Sequence, residues 1–452
     1  MAKRIISPPI PNAKPISRKV LTIAPIISAM NFPASVGSPP CANTTLGKDR
    51  HITNKPIIIK ADRHAYLLIS SPQFNLIIFA MSYLTATYNL ALFTPFTLLP
   101  PEEETEGIVV GEDTYHRKVY LNYNKLPNFH GIIIGPTGSG KSTTVESLLY
   151  DLVEQGVNVI CIDPHQDYVS AIKDLNGVIV DFTKMIPDIF EYPGELDEHS
   201  ISMWCDYLSI AAKVSVDIDR HHVSRLRLVL EEEMKGDGDV ENVISKLDYI
   251  RREDPYYEEL YVKCRDLFKH FREPNFSIID VLKENKPASL VYSYEGRRIP
   301  PQVEKFLTLL LINQVNEYRR NNVRESEKHK LELVIVVDEA WRLLKMPGYE
   351  SDFLNRIREM RKFGVGYWTI TQSVSDLPTE AYEQAGFILA LSGPQLHVTK
   401  VDAISALTEE DKDWLKYHSL PGFGVLLRSG FPKAAQIRIL VRENVLRRRR
   451  KK

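Results

Sequence analysis

The chain has 452 residues, enough for two or three domains, and its 44% hydrophobic and 25% charged residues belong to a globular protein with a sizeable core. Four cysteines (Cys41, Cys161, Cys205, Cys264) lie far apart with no CxxC pair, which argues against a zinc ribbon or a disulfide framework and for a reducing compartment. The net charge of −1 hides basic ends, with ten Lys and Arg against two Asp in 1–80 and seven against one Glu in 442–452, so the acidic body between them excludes a uniformly DNA-coating protein and leaves a local patch or pore.

Residues 1–60 are rich in proline, and no Glu precedes Glu102. No helical or strand period persists there, so 1–80 is expected to be a disordered or non-native N-terminal segment, with a true start at Met81 as one way to explain it. The stretch 65–101 carries no formal charge. Its apolar runs, 76–84 and 90–99, are broken by Pro72, Asn75, Asn89 and Pro95. A membrane helix needs about 20 continuous apolar residues, so a core or membrane-peripheral segment is the better reading. Within 81–125 the short runs 107–110 and 118–122 predict a β-hairpin.

From residue 126 an α/β rhythm begins. Its first part, 126–183, holds a strand at 132–134, a glycine-rich loop, a helix from Lys141 to about Glu154, and strands at 157–162 and 178–182. Residues 184–285 break the rhythm with charged helical stretches at 223–235, 239–252 and 255–271, which read as an all-helical insertion. The second part, 286–441, resumes with a strand at 289–294, a helix at 302–321, a strand at 333–337 and a helix at 352–362. Strands at 367–371 and 387–391 follow, then a hairpin of 424–428 with 436–441. Strands alternating with helices imply a mainly parallel sheet. Residues 442–452 read as a basic tail, either disordered or available to nucleic acid or acidic lipid.

The chemistry starts with Gly135, Pro136, Thr137, Gly138, Ser139, Gly140, Lys141, Ser142 and Thr143, a GxxxxGK[ST] run placed after a strand and opening a helix. Its glycines let backbone N–H groups curl around phosphate, Lys141 reaches the β- and γ-phosphates, and Ser142 serves Mg²⁺. The apolar strand 333–337 ends in Asp338 and Glu339. In P-loop chemistry Asp338 belongs to the Mg²⁺ shell and Glu339 polarises the attacking water. The plain alternative is a pair of solvated helix-start carboxylates.

Gln372, after the strand 367–371, has the amide chemistry to sense a γ-phosphate; the alternative is a polar turn. Asp163, Pro164 and His165 follow the strand 157–162 at the ligand-binding edge of the sheet. Arg358 and Arg361 share a helix face, and one of them could serve a γ-phosphate in its own or a neighbouring subunit. His221 and His222, and Cys264 with His270, lack zinc spacing.

Together these stretches resemble the HerA/FtsK superfamily, and most of all the conjugation-type (type IV secretion) and archaeal HerA-like ATPases. The resemblance rests on LPNFHGIIIGPTGSGKST (126–143), VICIDPHQDY (159–168), VIVVDEAWRLL (334–344), RKFGVGYWTITQS (361–373) and LPGFGVLLRSGFPKAAQI (420–437). It implies a RecA-like α/β core, an all-helical insertion, ATP and Mg²⁺ as cofactors, a homohexameric ring and Arg361 as an inter-subunit trigger. The implied work is DNA translocation or conjugative DNA transfer in the cytoplasm or at the inner face of the membrane. Powering a secretion or pilus machine without DNA movement, and viral genome packaging, are the alternatives. Gln166-Asp167 stands where the family often has Gly-Glu.

Overall fold

The computed structural model describes residues 106–323, 330–340, 354, 357–405, 407–418, 420–431 and 433–450, with the backbone of 57–61 and 65–69. Met1–Leu98 and Leu99–Lys452 are two compact units. In the first, β1 (Ile57–Ala61) pairs antiparallel with β2 (Ala65–Ile69), Ile57 opposite Ile69. A strand pair thus stands inside the stretch expected to be disordered. The runs IIIKA and AYLLI are β-branched and aromatic enough to pair locally in spite of the proline-rich composition around them. The apolar runs 76–84 and 90–99 and the Met81 start lie outside the described residues.

The second unit opens with the hairpin of β3 (Ile108–Glu112) and β4 (Lys118–Leu121), bulged between Val109 and Gly111. Next come β5 (Gly131–Ile134), α1 (Lys141–Glu154), β6 (Asn158–Ile162), α2 (Val169–Asp174) and β7 (Val178–Asp181). The helical stretch holds α3 (Glu198–Val216), α4 (Arg220–Met234), α5 (Val240–Glu253), α6 (Glu258–Phe268) and α7 (Ile278–Glu284). Then β8 (Ala288–Val291), a small hairpin of β9 (Ser293–Tyr294) and β10 (Arg297–Arg298), α8 (Pro301–Asn322) and β11 (Leu333–Val337) follow. The chain continues through β12 (Val365–Thr371), α9 (Thr379–Glu383), β13 (Phe387–Leu391), α10 (Gln395–Ser405) and α11 (Glu409–Tyr417). It closes with β14 (Phe423–Arg428), β15 (Ala435–Ile439) and α12 (Glu443–Arg449).

Eleven strands form one sheet in the order β4-β3-β15-β14-β13-β5-β12-β11-β6-β8-β7. From β13 to β7 every pairing is parallel, and from β13 outward to β4 every pairing is antiparallel. Side chains alternate between the faces, as the pleat requires. Ile132, Ile134, Ile160 and Ile162 enter the core shared with the helical stretch, whereas Ile133, Val159 and Cys161 enter the core against α1.

The helical stretch shares its core with the sheet. Trp204 is fully buried and its indole N–H donates to Ile189 O at 3.0 Å, while Phe268 and Phe271 pack on Phe306 of α8. Three of its helices start on side-chain caps: Asp197 accepts from Ser200 N–H, Asp219 from His222 N–H and Asp239 from Glu241 N–H.

Three expectations change in detail. The single strand at 289–294 ends at Val291, because Tyr292 is buried with its hydroxyl 2.6 Å from Thr308 Oγ1 and the chain then turns at Glu295 (φ 48) and Gly296 (φ 82). Residues 357–360 are helical and Arg361–Phe363 form a 3-10 turn; the remainder of the expected 352–362 helix, apart from 354, lies outside the described residues. The basic end is a helix on the body of the protein rather than a loose tail. Val445 of α12 is fully buried with Tyr150 and Ala171, and a short helix of this kind is fixed by packing, which local sequence does not reveal.

Candidate nucleotide site

β5 is four buried residues, GIII, with parallel partners on both sides. The chain leaves the sheet at Gly135, whose N–H donates to Thr371 O at 3.3 Å. The loop turns on two left-handed glycines, Gly138 (φ 84) and Gly140 (φ 97), where a side chain would strain the backbone. Gly140 caps α1 without any side-chain hydrogen bond. The first-turn N–H groups of α1 are thus left to an anion, aided by the helix dipole.

Lys141 Nζ donates to Gly135 O at 2.7 Å and Pro136 O at 3.1 Å, so the loop curls around its own ammonium. Burial pulls the Lys141 pKa down, against the opposing pull of Asp338, Glu339 and Asp167. These three carboxylates come from two other strand ends.

β12 lies between β5 and β11, so the end of β11 is two strand spacings, roughly 10 Å, from the loop. Asp338 and Glu339 sit there. Asp338 is 9% exposed; its Oδ1 accepts from Glu339 N–H at 2.9 Å and its Oδ2 from the Tyr168 hydroxyl at 3.3 Å. Burial raises the Asp338 pKa to about 7; the Glu339 N–H opposes this, and the charges of Asp163, Asp167 and Glu339 add to it. Glu339 itself is held at φ 54, in the left-handed region.

Gln372, at the end of β12, joins the two halves. Its Nε2 donates to Glu339 Oε1 at 2.9 Å, and its Oε1 accepts from the Thr137 hydroxyl at 3.1 Å. Asp376 fixes this turn, its Oδ2 accepting from Thr371 Oγ1 at 2.9 Å and Ser373 N–H at 3.0 Å.

Asp163 is fully buried at the end of β6 and accepts from Asp167 N–H at 2.8 Å, Tyr168 N–H at 2.9 Å and Ser289 Oγ at 3.0 Å. Burial raises its pKa to about 6. It shapes the turn after β6, whereas His165 points to solvent. That turn brings Asp167 to the loop, where its Oδ2 accepts from the Ser142 hydroxyl at 2.6 Å. No spacing rule marks Asp167 for this contact; its place where the family often has Gly-Glu was the sequence signal.

Arg361 is elsewhere. It lies one turn before Gly364, whose carbonyl accepts from Glu332 and Leu333 N–H at the start of β11, and its charge acts on His130 just before β5. The length of β11, roughly 17 Å, separates it from the acidic pair of its own chain. Its Nε is buried with no hydrogen-bond partner among the described residues. With the Gln384 amide turned over, its oxygen accepts from Arg358 Nη2 at 2.9 Å. His222 is buried with Nε2 3.2 Å from Tyr256 O, and Cys264 is a buried free thiol. A polar cleft of about 240 Å³ lined by Gln155, Asn158, Arg319 and Glu332 opens at the N-terminal ends of β6 and β11. It is the wrong end of a parallel sheet for a nucleotide.

The described residues include no group of three or more His, Cys, Asp or Glu placed to hold a metal. A hydroxyl, one carboxylate and bound phosphates are the donors Mg²⁺ takes, since it keeps several waters. Ser142 and Asp338 fit that set.

A parallel sheet whose β5 runs through this loop into α1, with an acidic pair two strands away, defines a P-loop NTPase with a RecA-like core. A family profile described as "Helicase HerA, central domain" matches residues 108–286. The "DNA import protein CedB" of Sulfolobus acidocaldarius is 24% identical over 294 residues, 60% of this chain and 45% of its own length. The "DNA double-strand break repair helicase HerA" of Pyrococcus furiosus is 25% identical over 339 residues, 62% of this chain and 59% of its own. Among solved structures, VirB4 of Thermoanaerobacter pseudethanolicus superposes with a TM-score of 0.61 at 19% identity, over 75% of this chain and 98% of that one. The plasmid coupling protein TrwB superposes with a TM-score of 0.54 at 15% identity, over 76% of this chain and 91% of that one. The chain is thus similar to HerA-type helicases over its central part and shares its fold with VirB4 and TrwB. It spans about half the length of the curated relatives it matches. No described helix is long and apolar enough to cross a membrane.

Proposed function

We propose that the chain hydrolyses ATP in a homohexameric ring and uses the energy to move DNA. The observation that carries this reading is the convergence of the loop 135–143, the pair Asp338–Glu339 and the bridging Gln372 at the C-terminal ends of three neighbouring strands. A phosphate chain laid over α1 would be held by the loop N–H groups and would draw Lys141 Nζ off the Gly135 and Pro136 carbonyls. Ser142 and Asp338 would hold Mg²⁺, which supplies neutralising charge to the phosphates when bound.

Glu339 then orients water for in-line attack on the γ-phosphorus and takes up its proton. Gln372 reports the γ-phosphate: its oxygen is held by Thr137 of the loop and its nitrogen by Glu339, so a phosphate entering between them must break one of these bonds. Arg361 is too far from its own acidic pair to touch the same phosphate. Its role is assigned to the neighbouring subunit's site.

DNA as substrate is supported by two relatives, one named for DNA import and the other for DNA repair. The test is ATP turnover with and without double- and single-stranded DNA, with oligomer mass measured on the same sample. Turnover raised severalfold by DNA in a hexamer is expected. DNA-independent turnover would instead favour a motor of a secretion machine. Glu339→Gln should keep ATP binding and lose turnover by about a hundredfold or more; near-normal turnover would remove Glu339 from the chemistry.

A further inference from the structure

In this chain the serine of the phosphate loop is not tied to the carboxylate at the end of β11. Both Asp338 oxygens are engaged elsewhere, by Glu339 N–H and the Tyr168 hydroxyl. The Ser142 hydroxyl donates instead to Asp167 Oδ2 at 2.6 Å. Asp167 is itself held from two sides. Its N–H donates to buried Asp163 at 2.8 Å, and the turn before it is pinned by Gln166 (φ 60), whose Nε2 donates to Ser293 O at 2.6 Å. From the other side comes Arg449 of α12. Its Nη1 is 3.5 Å from Asp167 Oδ1, its Nη2 3.4 Å from Asp167 O, and its Nε 3.1 Å from Oε2 of Glu146, which is 2% exposed.

We infer that Asp167, held by Arg449 of the C-terminal helix, is the positioning residue that orients the Ser142 hydroxyl toward the cation of the bound nucleotide. The inference rests on the ATP–Mg²⁺ reading above. A serine hydroxyl has one proton and two lone pairs. Donating the proton to Asp167 leaves both lone pairs facing away from that carboxylate, free for a cation beside the phosphates. A partner that fixes a ligand's orientation in this way typically governs metal affinity by about tenfold to a hundredfold. Asp338 remains for the cation's water shell, and the chain's last helix becomes part of the metal site although it touches no phosphate.

The experiment measures binding of a non-hydrolysable fluorescent ATP analogue in Mg²⁺ and in EDTA, and Mn²⁺ affinity of the analogue complex by electron paramagnetic resonance. Asp167→Ala should weaken Mn²⁺ binding by about tenfold and leave analogue binding in EDTA within about twofold. Asp167→Glu should restore most of the loss, and Arg449→Ala should shift Mn²⁺ affinity the same way by a smaller factor. In a Ser142→Ala background, Asp167→Ala should add nothing further, because the two residues act as one unit. Unchanged Mn²⁺ affinity in Asp167→Ala, an equal loss with and without metal, or full additivity with Ser142→Ala would each overturn the assignment. Wild-type protein that binds no analogue in either buffer would overturn the nucleotide reading itself.

Discussion

Glu339 sits at φ 54, a conformation that costs a non-glycine residue about 1–2 kcal/mol, and its neighbour Asp338 is a buried carboxylate with its pKa raised to about 7. Both are unfavourable for the nucleotide-free protein and both stand where the proposed chemistry would use a poised carboxylate. His130 presents the opposite case. Burial, with a smaller contribution from the Arg361 charge, lowers its pKa to about 3, against the carbonyl of Ile357. Its Nδ1 accepts from Tyr367 N–H at 3.2 Å. A folded-state pKa below the unfolded 6.5 means the unfolded chain binds the extra proton, so stability is full above pH 6.5 and is lost as pH falls toward 3. Between pH 6.5 and 5 this should remove about 1–2 kcal/mol. His130→Asn should flatten that pH dependence in thermal melts, whatever it does to stability at pH 8.

The element that most changes the picture is α12. Seven residues cannot hold a helix alone in water. It is kept by fully buried Val445, by Arg448 and Arg449 closing on buried Glu146 at 2.8 and 3.1 Å, and by the preceding Arg442, which clasps Asp151 and Glu154 of α1. Three positive side chains thus meet an acidic flank of the phosphate-loop helix. Val445→Asp would bury an unpaired carboxylate and should release α12, at about 2–4 kcal/mol. The expected signs are faster tryptic cleavage at Arg447–Arg450 and weaker Mg²⁺-dependent nucleotide binding. Unchanged protease sensitivity would mean that the helix is held by something other than this contact.

For the whole molecule, the position of Arg361 poses the question of assembly. An arginine at the N-terminal end of β11 cannot reach phosphates at the C-terminal end of the same sheet, so any part it plays in hydrolysis would need a second copy. Inactive Lys141→Ala and Arg361→Ala proteins, mixed, should regain a fraction of wild-type turnover, because some interfaces then pair an intact loop with an intact arginine. Absence of rescue at every ratio, in samples shown to contain mixed rings, would assign Arg361 to the core instead. Addition of salt during mixing should change exchange rates and leave the sign of the result alone.

What was legible beforehand was local. The loop 135–143, the helix behind it, and strands 333–337 and 387–391 are written in short periods and a glycine code, and the structure has them within a residue or so. The placement of Asp338, Glu339 and Gln372 near that loop followed from strand ends in a parallel sheet. Asp167 beside Ser142, and Arg449 beside Asp167, did not follow from any spacing, since 25 and 282 residues separate the partners. Such contacts depend on how β6 turns and where α12 packs, and those are set by burial of Tyr168 and Val445 in cores that no single segment contains. The chain by itself marked the groups proposed to handle phosphate. Only the tertiary structure brought Asp167 to the serine hydroxyl, packed the basic end as a helix and set Arg361 at the opposite end of β11 from the acidic pair, because each is a distance between segments far apart in sequence.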